Sequence, residues 1–506
     1  MLFSSWMFVG LFLPVTWCVY YALQARAGRE VAFTWLFAAS LFFYGWFKPV
    51  YLVIVLLSLA FNYAVGMTLS RRRMGRVKRR NLLIFGIAAN LAALFYYKYT
   101  GLFFRTLNMA GGEYTVPDIL LPLGISFFTF QKIAWLVDSY RRETEEPNFL
   151  HYGLFITFFP QLIAGPIVHH RDIIPQFMKR DAGRVQWNMV AAGFSLFIIG
   201  LFKKVCMADN MGEIADPIFA AVARGAAPDF FESWLGSVAY SLQIYFDFSG
   251  YSEMAIGIAA MFGIQLPLNF YAPYKSASIT EFWRRWHITL SRFLRDYLYI
   301  PLGGNRRGSL RRYTNLLLTM LLGGLWHGAN WTFLVWGGLH GIFLGIHHAW
   351  EKTGITLPRG LARAITLVAV ICAWVFFRAD SMETAQSMLR GMANMNGIAL
   401  RNPSGGLGTA LSHLGLNVAQ TGSKLLQLSD RWLLFWAVFA VALFGPTAHD
   451  LMGRRLALDI TGAAKGDKPS RYTWQPGFAW GAAVAVMGTV ALLFLTRVNA
   501  FIYFQF

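Results

Sequence analysis

A succession of apolar runs leaves this chain few choices of fold. They lie near 3–24, 31–47, 49–69, 81–100, 150–167, 189–206, 234–263, 315–346, 362–377, 431–446 and 478–496. A run of about 20 apolar residues crosses the bilayer hydrocarbon as a helix. Backbone exposed to lipid must satisfy its own hydrogen bonds, which favours helices over loops or open strands. The expectation is an all-α polytopic membrane protein with about 11 transmembrane helices. Shorter apolar pieces near 117–137 and 293–303 suit re-entrant or interfacial helices. The composition agrees: 56% of the 506 residues are hydrophobic and 14% charged, with mean hydropathy +0.45, whereas soluble domains carry roughly 25% charged residues. The first run holds Pro14 and lacks a basic leader and an A-x-A-like cleavage site, so it reads as a retained span rather than a signal peptide.

The net charge of +20 does not point to nucleic acid, because the basic residues sit between the apolar runs. They cluster at Arg26 and Arg29, Arg71 to Arg80, Arg141 and Arg142, Lys179 to Arg184, Arg306 to Arg312, and Arg454 to Arg471. Short basic loops mark the cytoplasmic face. Counting spans from them puts the N-terminus and the C-terminus outside. The densest cluster, around Arg76, is also compatible with anionic membrane lipids as partners. Three cysteines, Cys18, Cys206 and Cys372, lie in or beside apolar runs. With no C-x-x-C among them they are apolar packers rather than a disulfide framework.

The polar connections between runs are too short for an independent soluble domain, which needs about 50 residues and a core. Residues 1–506 are therefore expected to form a single integral membrane domain. Chemistry must happen within or at the membrane, and a later step on a large extracytoplasmic substrate calls for a second protein.

Within this apolar chain a few polar residues stand out. His327 sits in Leu321-Leu322-Gly323-Gly324-Leu325-Trp326-His327-Gly328-Ala329-Asn330-Trp331, inside the run 315–346. That run is either one long span or a re-entrant helix followed by a span. An imidazole at such depth faces a polar cavity by default and marks a functional site, and imidazole is the side chain best suited to moving protons near neutral pH. The competing reading is a structural histidine satisfied by a backbone carbonyl. Asn330 offers an amide that would orient the imidazole or a substrate carbonyl.

His287 lies on Ser276 to Arg292, which reads as one amphipathic interfacial helix. Ser278 and Glu281 form its capping box, and Phe282, Trp286 and Leu290 share its apolar face. Alone, His287 suits a snorkelling interface residue as well as a catalyst. Asp247 and Glu253 interrupt the run 234–263 and must pair, protonate or line water. They serve either as a structural lock or as substrate contacts. His169-His170 and His347-His348 read as interfacial pairs. With no H-E-x-x-H and no spaced Cys/His set, no metal site is expected, and the absence of G-x-x-x-x-G-K-[ST] argues against an ATP-driven pump. The ending Phe501-Ile502-Tyr503-Phe504-Gln505-Phe506 suits an aromatic belt at the membrane interface.

Three stretches, Tyr245 to Gly257, Phe282 to Arg295 with its Phe-Trp-Arg-Arg-Trp-His core, and Leu321 to Asn330, resemble the membrane-bound O-acyltransferase family. More narrowly they are similar to the bacterial branch that includes the membrane subunit of alginate O-acetylation, and Phe159 to Pro166 fits the same branch. The resemblance runs over nearly the whole chain and is weakest over 395–475. It implies spans arranged with re-entrant and interfacial helices around a central tunnel open to both faces. It also implies His327 as the family's near-invariant histidine and His287 as its second polar position. The tail resembles an F-x-Y-x-x-F motif in which a tyrosine, here Tyr503, is a candidate acyl carrier.

The function this implies is O-acetyltransfer from cytoplasmic acetyl-CoA, a substrate rather than a bound cofactor, across the inner membrane to an exported polysaccharide. An alginate-like polymer comes first, with cellulose, another exopolysaccharide or peptidoglycan as further candidates. Arg284, Arg285, Arg295 and Arg306 are the candidate binders of the donor's phosphates. A periplasmic acetyltransferase or esterase-like protein is the expected partner, and no nucleic acid is expected. The rival class is a polymer or lipid-intermediate transporter without acyl chemistry, for which Asp247 and Glu253 speak.

Overall fold

The computed structural model describes residues 1–71, 74–144, 148–179, 184–306, 308–399, 418–419, 431–452, 456, 473–495 and 502. Nearly all regular structure among them is helical. In chain order the helices are α1 Leu13–Arg26, α2 Arg29–Gly45, α3 Val50–Ser70, α4 Arg76–Leu94, α5 Thr100–Met109, α6 Ile125–Arg141, α7 Phe149–Thr157, α8 Phe159–Leu162 and α9 His170–Phe177. They continue with α10 Trp187–Phe202, α11 Asp209–Ala223, α12 Phe230–Met261, α13 Ile279–Arg285, α14 Ile288–Leu294, α15 Gly308–His327, α16 Trp331–Glu351, α17 Arg359–Arg378 and α18 Met382–Met392. Three further helices cover Trp432–Phe444, Ala448–Met452 and Phe478–Phe494. The one exception to helix among the described residues is a short parallel pair, Ile398↔Val418 and Ala399↔Ala419.

Five helical stretches are long and apolar enough to cross a membrane: Phe8–Arg26, Val50–Ser70, Arg76–Met109, Trp187–Ala223 and Arg359–Arg378. Every apolar run carries helix, and among the described residues five of these stretches meet that length and apolarity. Others fall short of it for physical reasons. The run 150–167 breaks at Phe158, between α7 and α8. The helix α12 carries Asp247 and Glu253, and α16 carries three histidines, which lowers their apolar character.

The described residues divide into two compact units. One is drawn from Met1–Phe202, Ser249–Asn269 and Thr447–Phe504, the other from Lys203–Phe248 and Phe270–Pro446.

In the first unit, glycine lets helices touch backbone to backbone. A Cβ on Gly193 of α10 would come 2.5 Å from the carbonyl oxygen of Gly257, and one on Gly200 would come 2.5 Å from that of Gly250. Small residues allow close approach where lipid supplies no hydrophobic drive for helices to associate. Buried polar side chains fasten the same unit. Asn62 of α3 and Asn90 of α4 exchange amide hydrogen bonds at 3.1 and 2.7 Å, and Trp17 and Tyr21 donate to the carbonyl of Met261 at 3.0 and 2.8 Å.

In the second unit the run 315–346 is not one span but two helices, as the second reading of this run allows. It is a tight hairpin of α15 and α16, turning at Gly328-Ala329-Asn330. The crossing requires glycine twice, because a Cβ on Gly324 would overlap the Phe333 carbonyl and one on Gly337 would overlap the Met320 carbonyl. Asn330 starts α16 as its N-cap, accepting from the Thr332 amide at 3.3 Å.

The stretch 276–292 is also not one helix. Ser278 caps α13 by accepting from the Glu281 amide at 3.1 Å, while the Glu281 carboxylate reaches back to the Ala277 amide at 2.7 Å. The helix then stops. His287 takes a left-handed conformation, φ 43° and ψ 54°, and α14 restarts after it. A non-glycine residue in that region costs on the order of 1–3 kcal/mol and persists only where its surroundings hold it.

Candidate active site

The break at His287 and the end of α15 bring the two singled-out histidines together. His287 and His327 are both almost fully buried, and their ring centres lie 6.3 Å apart at 64°. Even turned nitrogen to nitrogen, rings at that spacing leave more than the roughly 2.7–3.2 Å of a hydrogen bond. A small group held between them would reach both.

The walls are aromatic. The His327 ring meets Trp326, Trp336 and Phe377 edge to face at 4.9, 5.2 and 5.2 Å. Phe270 and Phe248 lie 5.7 and 6.4 Å from the His287 ring. Phe282, Trp286 and Leu290, the three residues of the expected apolar face, are buried, with Phe282 and Trp286 stacked at 5.7 Å. Such a surround excludes water and strengthens any charge–dipole interaction inside it.

The other singled-out residues lie elsewhere in their structural roles. The Asn330 amide is engaged at both ends, accepting from Thr332 and donating to the Asp380 carbonyl at 2.8 Å. Arg284 is exposed. Arg285 pairs with Glu281 at 2.8 Å and lies over the Tyr271 ring at 5.0 Å. Arg295 is exposed and bonded to Asp296 at 2.7 Å, and Arg306 is exposed. Tyr503 lies outside the described residues.

Asp247 pairs inside a buried ion network, as the structural-lock reading expects, with a lysine that sequence reading did not single out. The Lys204 ammonium bonds Asp209 at 2.6 Å and Asp247 at 2.9 Å, with all three side chains buried. Lys204 ends an apolar run, where a lysine reads as a topology flank. His347 and His348 lie with Glu351 so that one ligand atom of each falls within 4.8 Å of the others. Their imidazoles already meet Thr280 at 3.0 Å and Glu351 at 2.9 Å.

Another deep imidazole of this unit was also missed. His340 is fully buried, and its Nδ1 accepts the indole N–H of Trp283 at 3.2 Å. The depth argument that singles out His327 applies equally to it.

The sequence profile described as "MBOAT, membrane-bound O-acyltransferase family" matches residues 12–379. The chain is 44% identical over 431 residues to "Peptidoglycan O-acetyltransferase" of Helicobacter pylori, covering 79% of this chain and 81% of that one. It is 37% identical to "Probable alginate O-acetylase AlgI" of Azotobacter vinelandii over the full length of both chains. A more distant similarity, 28% over 48% of this chain and 60% of the other, is to "Teichoic acid D-alanyltransferase" of Streptococcus thermophilus. This chain belongs to the membrane-bound O-acyltransferase family. It is a multi-pass membrane O-acyltransferase, which sets aside a transporter without acyl chemistry.

Proposed function

We propose that the protein moves acetyl groups from cytoplasmic acetyl-CoA across the inner membrane for O-acetylation of an exported polysaccharide. The observation that carries this reading is the pair of buried imidazoles 6.3 Å apart among aromatic rings of a membrane O-acyltransferase. Alginate-like polymer is the first candidate acceptor, after the full-length relative from Azotobacter vinelandii. Peptidoglycan stands beside it because the Helicobacter pylori relative is named for that polymer.

His327 acts as the general base. It takes the proton of an acceptor hydroxyl as the oxygen attacks the thioester carbonyl, then returns that proton to the departing thiolate. A well-placed base contributes about 10²–10⁴ in rate. His287 orients donor or acceptor across the gap. Asn330 acts through the backbone, fixing the turn between His327 and α16. Arg284, Arg285, Arg295 and Arg306 attract the donor's phosphates.

The whole chain works as one membrane domain of about 11 spans with re-entrant and interfacial pieces around a tunnel. Both termini are periplasmic, by the distribution of basic loops. Tyr503 carries the acetyl group outward, and a periplasmic acetyltransferase-like partner completes the esterification. A phenol with its ordinary pKa near 10 is a weak nucleophile, so this relay requires the tail to reach a base, with His327 in that role.

Three experiments test the parts. Cells carrying His327→Ala at normal membrane levels should lose polymer acetylation, and near-normal acetylation would remove the general base. Cysteines at Arg76 and Phe506, probed with an impermeant thiol reagent in spheroplasts, should label only at the second position. For the relay, Tyr503→Phe and deletion of 501–506 should both abolish acetylation, whereas an active Phe variant beside an inactive deletion makes the tail an anchor.

A further inference from the structure

The proposed reaction creates a charge for which neither His287 nor His327 has been assigned a role. When the acceptor oxygen bonds to the thioester carbon, the C=O pair moves onto the carbonyl oxygen, which becomes an oxyanion. That pair returns when the C–S bond breaks, and the thiolate leaves with the proton held by His327. In a site walled by aromatic rings and screened from water, the oxyanion needs fixed N–H donors. Such preorganised donors are commonly the largest single source of rate in acyl transfer.

Two candidate donors sit in the wall. Trp336 packs edge to face on His327, with ring centres 5.2 Å apart and planes at 88°. It also packs on His340, at 4.9 Å. His340 is held on two sides: its ring is parallel to Phe282, 8° between planes at 6.0 Å, and its Nδ1 accepts the Trp283 indole hydrogen at 3.2 Å. Accepting at Nδ1 fixes the tautomer of a neutral imidazole, so the hydrogen resides on Nε2. His340 is therefore a locked donor rather than a second base.

Neither the Nε1–H of Trp336 nor the Nε2–H of His340 meets a hydrogen-bond partner among the described residues, although both atoms are buried. Buried N–H groups are nearly always paired, and an unpaired one costs about 1–3 kcal/mol. Two such groups on touching rings, one of them against His327, call for an acceptor that the protein itself does not supply.

We propose that Trp336 and His340 form the acyl-carbonyl subsite of this enzyme, donating from Nε1–H and Nε2–H to the thioester oxygen as it becomes the oxyanion. The proposal rests on the acyl-transfer reading of His327 given above. Trp283 is then a positioning residue, acting only by holding His340 in its donor tautomer. The rigid ring contacts suit this use, because an oxyanion donor must not reorganise during the reaction.

The test measures CoA release from acetyl-CoA by purified full-length protein, with Trp336→Phe, His340→Phe and His340→Gln beside wild type. Phe at either position keeps a ring and removes the donor, whereas Gln at 340 keeps a side-chain N–H. The expected result is a fall in kcat of about 10²–10³-fold for each Phe variant, with KM for acetyl-CoA nearly unchanged and partial recovery in His340→Gln. If His340→Phe fails to fold, Trp336→Phe decides alone. Wild-type kcat in the folded Phe variants, or a loss entirely in KM, overturns the subsite while leaving the role of His327 standing. No CoA release by wild type overturns the acetyl-CoA reading, and the subsite with it.

Discussion

His287 and His327, 40 residues apart in sequence, place their imidazole centres 6.3 Å from each other. One stands at a helix break and the other at a helix end. If they act on one substrate group, their losses should not add. His327→Ala should remove activity and His287→Ala should reduce it less, with the double variant no worse than His327→Ala alone. Steady-state rates of the three purified variants check this, and multiplicative losses would mean two independent sites.

The left-handed backbone of His287 separates its chemical role from its structural one. Glycine adopts φ 43° without strain, so His287→Gly should be more stable than His287→Ala by about 1 kcal/mol. Activity should stay low in both. Thermal unfolding in detergent, run beside the assay, checks the pair. Activity restored in the Gly variant would show that the backbone, not the imidazole, is what the site needs.

Gly324 sets how closely α15 and α16 pack, and hence where His327 lies. A Cβ there would overlap the Phe333 backbone carbonyl, which cannot rotate away as a side chain can. Gly324→Ala should destabilise the protein by about 1–3 kcal/mol and lower activity. Gly338→Ala, whose Cβ would meet only the Leu321 side chain at 3.4 Å, should do neither to a comparable degree. Paired melting curves distinguish them.

Lys204 pairs with two buried carboxylates, Asp209 at 2.6 Å and Asp247 at 2.9 Å. Lys204→Met should cost about 3–5 kcal/mol, since removing one partner leaves buried charge uncompensated. Asp209→Asn should cost less, because one carboxylate remains to pair the ammonium. Wild-type melting temperatures in both variants would mean that the network does not carry stability.

Much of this was legible in the sequence because hydropathy reports helices directly. Each apolar run became helix, and Ser278 and Glu281 gave a helix start that the structure contains. What escaped depends on tertiary contact. Nothing local encodes the break at His287, since no glycine or proline stands at 286–288; the surroundings impose it. A break within 315–346 was left open because Gly328-Ala329-Asn330 is a short polar signal inside so long an apolar run, although Asn330 is a good N-cap. His340 carries no motif, and its partner Trp283 lies 57 residues away.

The most direct measurement of the central claim uses purified protein and acetyl-CoA labelled in the acetyl group. Wild type should release free CoA and pass label to protein or acceptor, and His327→Ala, folded to the same melting temperature, should stay at background. Equal CoA release by the two proteins would contradict the assignment of His327 as the base on which acyl transfer depends.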